Sequence, residues 1–141
     1  MTSLDLRAVE IKAFVPARDF ATSLRFYERI GFEIPWASED LAYVRHGETS
    51  FLLQKFYVAE HAGNFMMHLL VTNADDWYRH LKSLGIALEF GVGIGVPEDR
   101  PWGMRDFTLI DPTGVLWRVG HNLTTTGPQA SDGTTSEANA P

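Results

Sequence analysis

Nine residues near the start of this chain are answered by nine more, 56 positions later. Ile11-Lys12-Ala13-Phe14-Val15-Pro16-Ala17-Arg18-Asp19 sets without a gap over Met67-His68-Leu69-Leu70-Val71-Thr72-Asn73-Ala74-Asp75. Each stretch runs into a helix-like pattern that stops at a glycine, Gly31 or Gly85. A repeated module constrains the fold strongly, because both copies must supply the same supersecondary unit. In the first copy, Val9–Val15 carries β-branched and aromatic residues and predicts a strand. Asp19 can cap the helix that follows, and Phe20, Leu24, Tyr27 and Ile30 recur at helical spacing along it. Strands are then expected over 32–36, 41–45 and 50–56, the last two separated by a tight turn at Gly47-Glu48. After a break at Gly63-Asn64 the pattern restarts with a strand over 66–72. A helix capped by Asp75 or Asp76 comes next, with Trp77, Leu81 and Leu84 as its apolar stripe. Strands over 86–91, 104–110 and 115–119 complete the copy. The predicted fold class is α+β, with two tandem βαβββ modules at about 9–57 and 66–121 in a single domain spanning 1–122.

The remaining segment, 123–141, is Thr, Ser, Gly, Ala, Asn and Pro with almost no large apolar side chain. It cannot bury enough surface to offset its ordering entropy, so a disordered tail is expected. Elsewhere a hydrophobic fraction of 45% and an aromatic fraction of 12% fit a packed core. No cysteine is present, which removes structural disulfides, zinc–thiolate sites and thiol nucleophiles, and fits a reducing cytoplasm. A net charge of −6 argues against a nucleic-acid partner, which requires clustered Lys and Arg. No apolar stretch has signal-peptide or membrane-spanning length, so a soluble cytoplasmic protein is expected.

Motifs for covalent chemistry are weak. Gly91-Val92-Gly93-Ile94-Gly95 lacks the Lys-Ser/Thr pair of a phosphate cradle. Ser50 and Ser83 have no nucleophile-elbow context, and Glu98-Asp99 follows Pro97 as a solvated charge cluster. Asp111-Pro112-Thr113-Gly114 reads as a turn between two strands: Pro presets φ, Asp bonds its own backbone and Gly accepts positive φ. His80, between Arg79 and Lys82, is expected on the solvated face of its helix. The aromatics are more informative. Trp36, Phe56, Tyr57 and Trp102 fall at strand ends or in loops, where flat side chains suit stacking against a planar ligand as well as core or dimer packing.

Three stretches carry a resemblance. Asp19 with Ser23-Leu24-Arg25-Phe26-Tyr27-Glu28-Arg29-Ile30-Gly31-Phe32 is similar to the first-helix signature of the vicinal-oxygen-chelate (glyoxalase/bleomycin-resistance/dioxygenase) superfamily. Val71, Asp75, Leu81 and Gly85 resemble its second-half counterpart. Most specific is Pro101-Trp102-Gly103-Met104-Arg105-Asp106-Phe107-Thr108-Leu109-Ile110-Asp111-Pro112-Thr113-Gly114, which resembles a run of the bleomycin-resistance branch. The resemblance implies that the strands curl into a cupped, mostly antiparallel sheet around a cleft, closed in this branch by a second subunit as a homodimer. It also implies a position for metal ligands in the superfamily's enzymes, and here those positions hold Lys12, His68 and Arg118. Only His68 offers a lone pair to a metal, so no metal site, no cofactor and no catalytic residue is expected.

The implied ligand-binding set is Trp36, Phe56, His68, Trp102, Phe107 and Arg118, with Trp102 on the residue that lines the antibiotic groove in that branch. The function this implies is sequestration of a planar, cationic small molecule of the bleomycin type, with Glu39, Asp40 and Asp106 attracting its positive charge. Two alternatives stand beside it. One is an enzyme of the superfamily, a lyase, transferase or dioxygenase, with an atypical metal site around His68 or with Lys12 as acid or base. The other is a small regulatory or carrier module for an unrelated metabolite.

Overall fold

The computed structural model describes residues 3–123. The expected tail over 123–141 lies outside the described residues except for Leu123, whose N–H donates to the Gly103 carbonyl at 2.9 Å. The first half runs β1 (Phe14–Pro16), α1 (Phe20–Ile30), β2 (Glu33–Ala37), β3 (Leu41–His46) and β4 (Thr49–Gln54). A short helix, α2 (Ala59–Gly63), leads into β5 (Met66–Leu70), α3 (Ala74–Leu84), α4 (Ile86–Phe90), β6 (Glu98–Asp99), β7 (Met104–Ile110) and β8 (Leu116–Asn122). The strands fall into two four-stranded sheets, ordered β1-β4-β3-β2 and β5-β8-β7-β6. The orders match position for position, which is the repeat expressed in three dimensions. In each sheet the first strand of the module pairs in parallel with the last, β1 with β4 and β5 with β8, and the other pairs are antiparallel.

Helix α1 forms where its pattern places it. The Asp19 side chain accepts from the Thr22 N–H at 3.1 Å, and Gly31 ends the helix. Its buried face carries Ser23, Phe26, Tyr27 and Ile30. Helix α3 departs from expectation at its start, because Asn73 is the cap and its side chain accepts from Asp76 N–H at 3.0 Å. Asp75, already inside the first turn, is free to pair with Arg105 on β7. The expected strand over 86–91 is the one-turn helix α4. Gly85 and Gly91 both take left-handed φ, 70° and 65°, bending the chain at each end, and Ala87-Leu88-Glu89 are good helix formers. The fourth place in the second sheet is filled further along. Ile94 bridges Leu109 and β6 pairs with β7. The first strand also starts later than Val9: residues 3–13 form neither helix nor strand, and Leu4, Leu6, Val9 and Ile11 stay exposed.

One core serves both halves. Val15, Phe26, Tyr27, Val44, Phe51 and Leu53 join Leu69, Leu81, Phe107, Leu109, Trp117 and Val119 in a single buried cluster. The crossing point is Trp117 of β8, whose ring lies 5.3 Å from Phe51, 5.8 Å from Tyr27 and 6.0 Å from Phe32, all in the first half. A buried polar chain accompanies it. Trp117 Nε1 donates to Tyr27 Oη at 2.9 Å, and Tyr27 Oη donates to Asp111 Oδ2 at 2.6 Å. Asp111 Oδ1 accepts the N–H groups of Thr113, Gly114 and Val115, each at 2.9 Å. The expected Asp-Pro-Thr-Gly turn is present, and it is also a buried anchor for α1. His80 is likewise more than a solvated residue. Its Nε2 lies 3.2 Å from the Ile30 carbonyl at the end of α1, beside a cavity of about 350 Å³ lined by Ile30, Gly31, His46, Asp76, Trp77 and His80.

Candidate functional site

Strand alternation divides each sheet into a face packed on the helices and an open face. On β5 the inward residues are Met67 and Leu69, leaving His68 on the open side. On β8 Trp117 and Val119 point inward and Arg118 outward. The parallel register sets His68 directly beside Arg118, and Arg118 is paired on its other side with Thr108 of β7. His68, Arg118 and Thr108 thus form a polar row across the floor of the open face.

Asp106, two residues before Thr108 on β7, organises that floor. It is 1% exposed, and its carboxylate accepts from Arg100 Nε at 2.8 Å and from Arg118 Nη1 at 3.2 and 3.3 Å. Arg100 also reaches Glu98 at 3.3 Å. The expectation that Asp106 attracts a cationic ligand is therefore corrected, since two guanidinium groups already occupy a buried carboxylate. Glu39 and Asp40 remain exposed in the first half. The space for Asp106 is provided by its register partner, Gly120. A Cβ there would stand 2.7 Å from Asp106 Cβ and 3.1 Å from the Arg105 carbonyl. Neither is a flexible side-chain end. We expect Gly120→Ala to lower stability by about 1–3 kcal/mol through overpacking, read as a lower urea midpoint.

The Trp102 loop is fastened to the same carboxylate. It closes the hairpin between β6 and β7, with Gly103 N–H on the Arg100 carbonyl at 3.1 Å and Arg100 N–H on the Met104 carbonyl at 2.7 Å. Trp102 itself is 39% exposed. Arg105, pointing to the helix side, ties the hairpin to α3 by contacts with Asp99 at 2.9 Å and Asp75 at 3.0 Å. A large aromatic is thus held open to solvent on a loop clamped from both faces.

The other expected site residues separate. Trp36 on the edge strand β2 and Phe56 just after β4 are 51% and 52% exposed, both in the first half. Phe107 is not a groove residue. It is fully buried, on the helix side of β7, with its ring edge-on to Tyr78 at 5.6 Å. Sequence reasoning missed Arg100 and the structural role of Asp106. The only available signal was the alternation that places Asp106 and Phe107 on opposite faces of one strand.

The residues at the superfamily's metal-ligand positions do not form a donor set. Arg118 donates to Asp106, and Lys12 Nζ sits 2.8 Å from Glu10 and over the Tyr43 ring. Glu10 in turn accepts from the Ser50 hydroxyl. His68 is the one potential ligand of the three. Partial burial pushes its imidazole pKa down and neighbouring Arg118 adds to this, while Asp106 opposes both. No group of three or more His, Cys, Asp or Glu able to hold a metal ion occurs among the described residues. No described helix is long and apolar enough to cross a membrane.

Comparison with known proteins agrees with this architecture. A bleomycin resistance protein of Klebsiella pneumoniae is 32% identical over 117 residues, covering 77% of this chain and 88% of that one. Among solved structures, a bleomycin-binding protein complexed with bleomycin superposes with a TM-score of 0.68 at 26% identity, covering 80% of this chain and 98% of the other. A bleomycin resistance determinant encoded on a transposon gives 0.66 at 26% identity, covering 79% and 94%. The family model described as Glyoxalase/Bleomycin resistance protein/Dioxygenase superfamily matches residues 10–119. With the doubled module, the shared sheet order and these relatives in agreement, the chain belongs to the glyoxalase/bleomycin resistance protein/dioxygenase superfamily.

Proposed function

We propose that this protein binds and sequesters a planar small molecule of the bleomycin type, making and breaking no bond. The observation that carries the reading is the Arg100–Asp106–Arg118 cluster, which fills the open face with hydrogen-bonded guanidinium groups where metal donors would have to converge. A site committed to ion pairs and an exposed tryptophan is built for recognition. The relatives named for bleomycin resistance and bleomycin binding supply the ligand class. Trp102 serves as the stacking surface, with Trp36 and Phe56 contributing from the first half.

The working unit in this proposal is a homodimer. Phe14, Met66 and Leu70 are each at least half exposed at the parallel strand pairs, and Leu4, Leu6, Val9 and Ile11 line an exposed arm. Apolar surface of that kind is typical of an interface, and a second copy is the occupant we assign. We place the protein in the cytoplasm, in keeping with its cysteine-free composition.

Titration of the metal-free protein with metal-free bleomycin, followed by tryptophan fluorescence, tests the reading. Saturable quenching at one ligand per chain is expected. Trp102→Ala should weaken binding by at least about tenfold, roughly 1.4 kcal/mol, while keeping the melting temperature within a few degrees. No quenching at high micromolar ligand, or a stoichiometric divalent ion that survives purification, would overturn it.

A further inference from the structure

We propose that the floor of the second sheet's open face is an oxyanion subsite, in which Arg118, oriented by Asp106, receives the carboxylate of a planar aromatic acid. The inference rests on the reading of this protein as a small-molecule binder and extends the class of ligand it takes to planar acids. Asp106 is the fixed point. Its side chain is 2% exposed, and Arg118 meets both of its oxygens through Nη1 alone. The opposite edge of the guanidinium, Nε and Nη2, has no acceptor among the described residues, and the side chain is 26% exposed. A planar fork with one edge pinned and the other open is pre-organised for two parallel hydrogen bonds to a carboxylate.

Local charge points the same way. Arg100 and Arg118 share the buried carboxylate of Asp106, so Arg118 has no acid to itself. The remaining acid in the cluster, Glu98, is 58% exposed and 3.3 Å from Arg100, so solvent weakens its compensation. His68, beside Arg118 in register, has its pKa pushed down by burial, against the pull of Asp106, and as a neutral imidazole it can donate one hydrogen bond without adding charge. Thr108 offers a hydroxyl on the other side of the row. Arg100 carries the same carboxylate's influence into the Trp102 loop, so an acid bound at Arg118 and a ring stacked on Trp102 are recognised by one connected unit.

The test compares three probes that share a flat ring and differ in one group: 2-naphthoate, 2-naphthamide and 2-naphthylmethylamine. Binding is measured by calorimetry on the full chain. Naphthoate should bind at least about tenfold more tightly than the amide or the amine. Arg118→Gln should abolish that preference, Arg118→Lys should restore only part of it, and Trp102→Ala should weaken all three probes alike. The Arg118 Nε–H resonance should shift on addition of naphthoate and stay in place with the amide. Equal binding of the three probes, a preference for the amine, no binding by any of them, or a preference that survives Arg118→Gln would overturn the subsite. A bleomycin titration of the same proteins separates the two ideas. Bleomycin binding without an acid preference leaves sequestration standing and removes the subsite, whereas an acid preference without bleomycin binding does the reverse.

Discussion

Asp111→Ala should cost about 3–5 kcal/mol of stability, read as a large fall in the urea midpoint, although the residue sits in a turn remote from the Trp102 loop. The reason is the number of groups left without a partner. One oxygen takes three backbone N–H groups and the other takes the Tyr27 hydroxyl, all of them buried but the part-buried bond from Gly114. Unsatisfied buried donors cost roughly 1–3 kcal/mol each, partly relieved where water can reach them. Asp111→Asn keeps an oxygen for the N–H groups and an amide that can donate to Tyr27 Oη, so it should cost less, about 1–2 kcal/mol. The pH dependence has a definite sign. Burial pushes the Asp111 carboxyl above its ordinary value, against the pull of the Tyr27 hydroxyl and the three N–H groups. A raised folded pKa means a contribution present in full below the unfolded value of about 3.9 and lost as pH rises through the folded one. The wild type's advantage over Asp111→Asn should therefore be greatest in acid and shrink towards neutrality. An Ala variant within 1 kcal/mol of wild type would show that the anchor carries little weight.

Phe107→Ala should be comparably damaging, again about 3–5 kcal/mol, through a cavity in the shared core. The ring is fully buried, faces Tyr78 at 5.6 Å and lies opposite Val119 in the β7–β8 register. What distinguishes this variant from Trp102→Ala is its ligand behaviour. Under conditions where it remains folded, its affinity for bleomycin should stay within about threefold of wild type, a difference well under 1 kcal/mol. Selective loss of binding with stability intact would return Phe107 to the groove.

That contrast shows what the sequence could and could not yield. The register of the doubled module was readable because its signals are local: a cap at Asp19, a stop at Gly31, and a β7 whose observed limits are the expected ones, Met104–Ile110. Asp106 and Phe107 lie within that correctly placed strand, yet neither could be assigned a face. Alternation says only that they differ, and which side becomes the core is decided by α3 and by neighbouring strands distant in sequence. Similarly, Asp75 and Asn73 are both competent caps, and the choice depends on Arg105, 30 residues further on, which claims Asp75. The stretch over 86–91 is ambiguous in sequence, because five mixed residues between glycines satisfy a short strand and a single helical turn equally well. For the candidate site, the resemblance singled out His68, Trp102 and Arg118, and the structure leaves all three at least partly exposed. The link between them, Arg100 through Asp106, is a tertiary contact with no sequence signature.

The meeting of Trp117 with Tyr27 bears on the history and engineering of the chain. Two halves of one design can in principle be exchanged for each other, but here each completes the interior of the other with different side chains. The second half lends an indole and an aspartate, and the first a phenol and two phenylalanine rings. Neither half can any longer stand in for its partner. Two copies of one half would bring two phenols and no indole to the seam, or two indoles and no phenol, so a gene cut between the modules would have to be expressed as both pieces together.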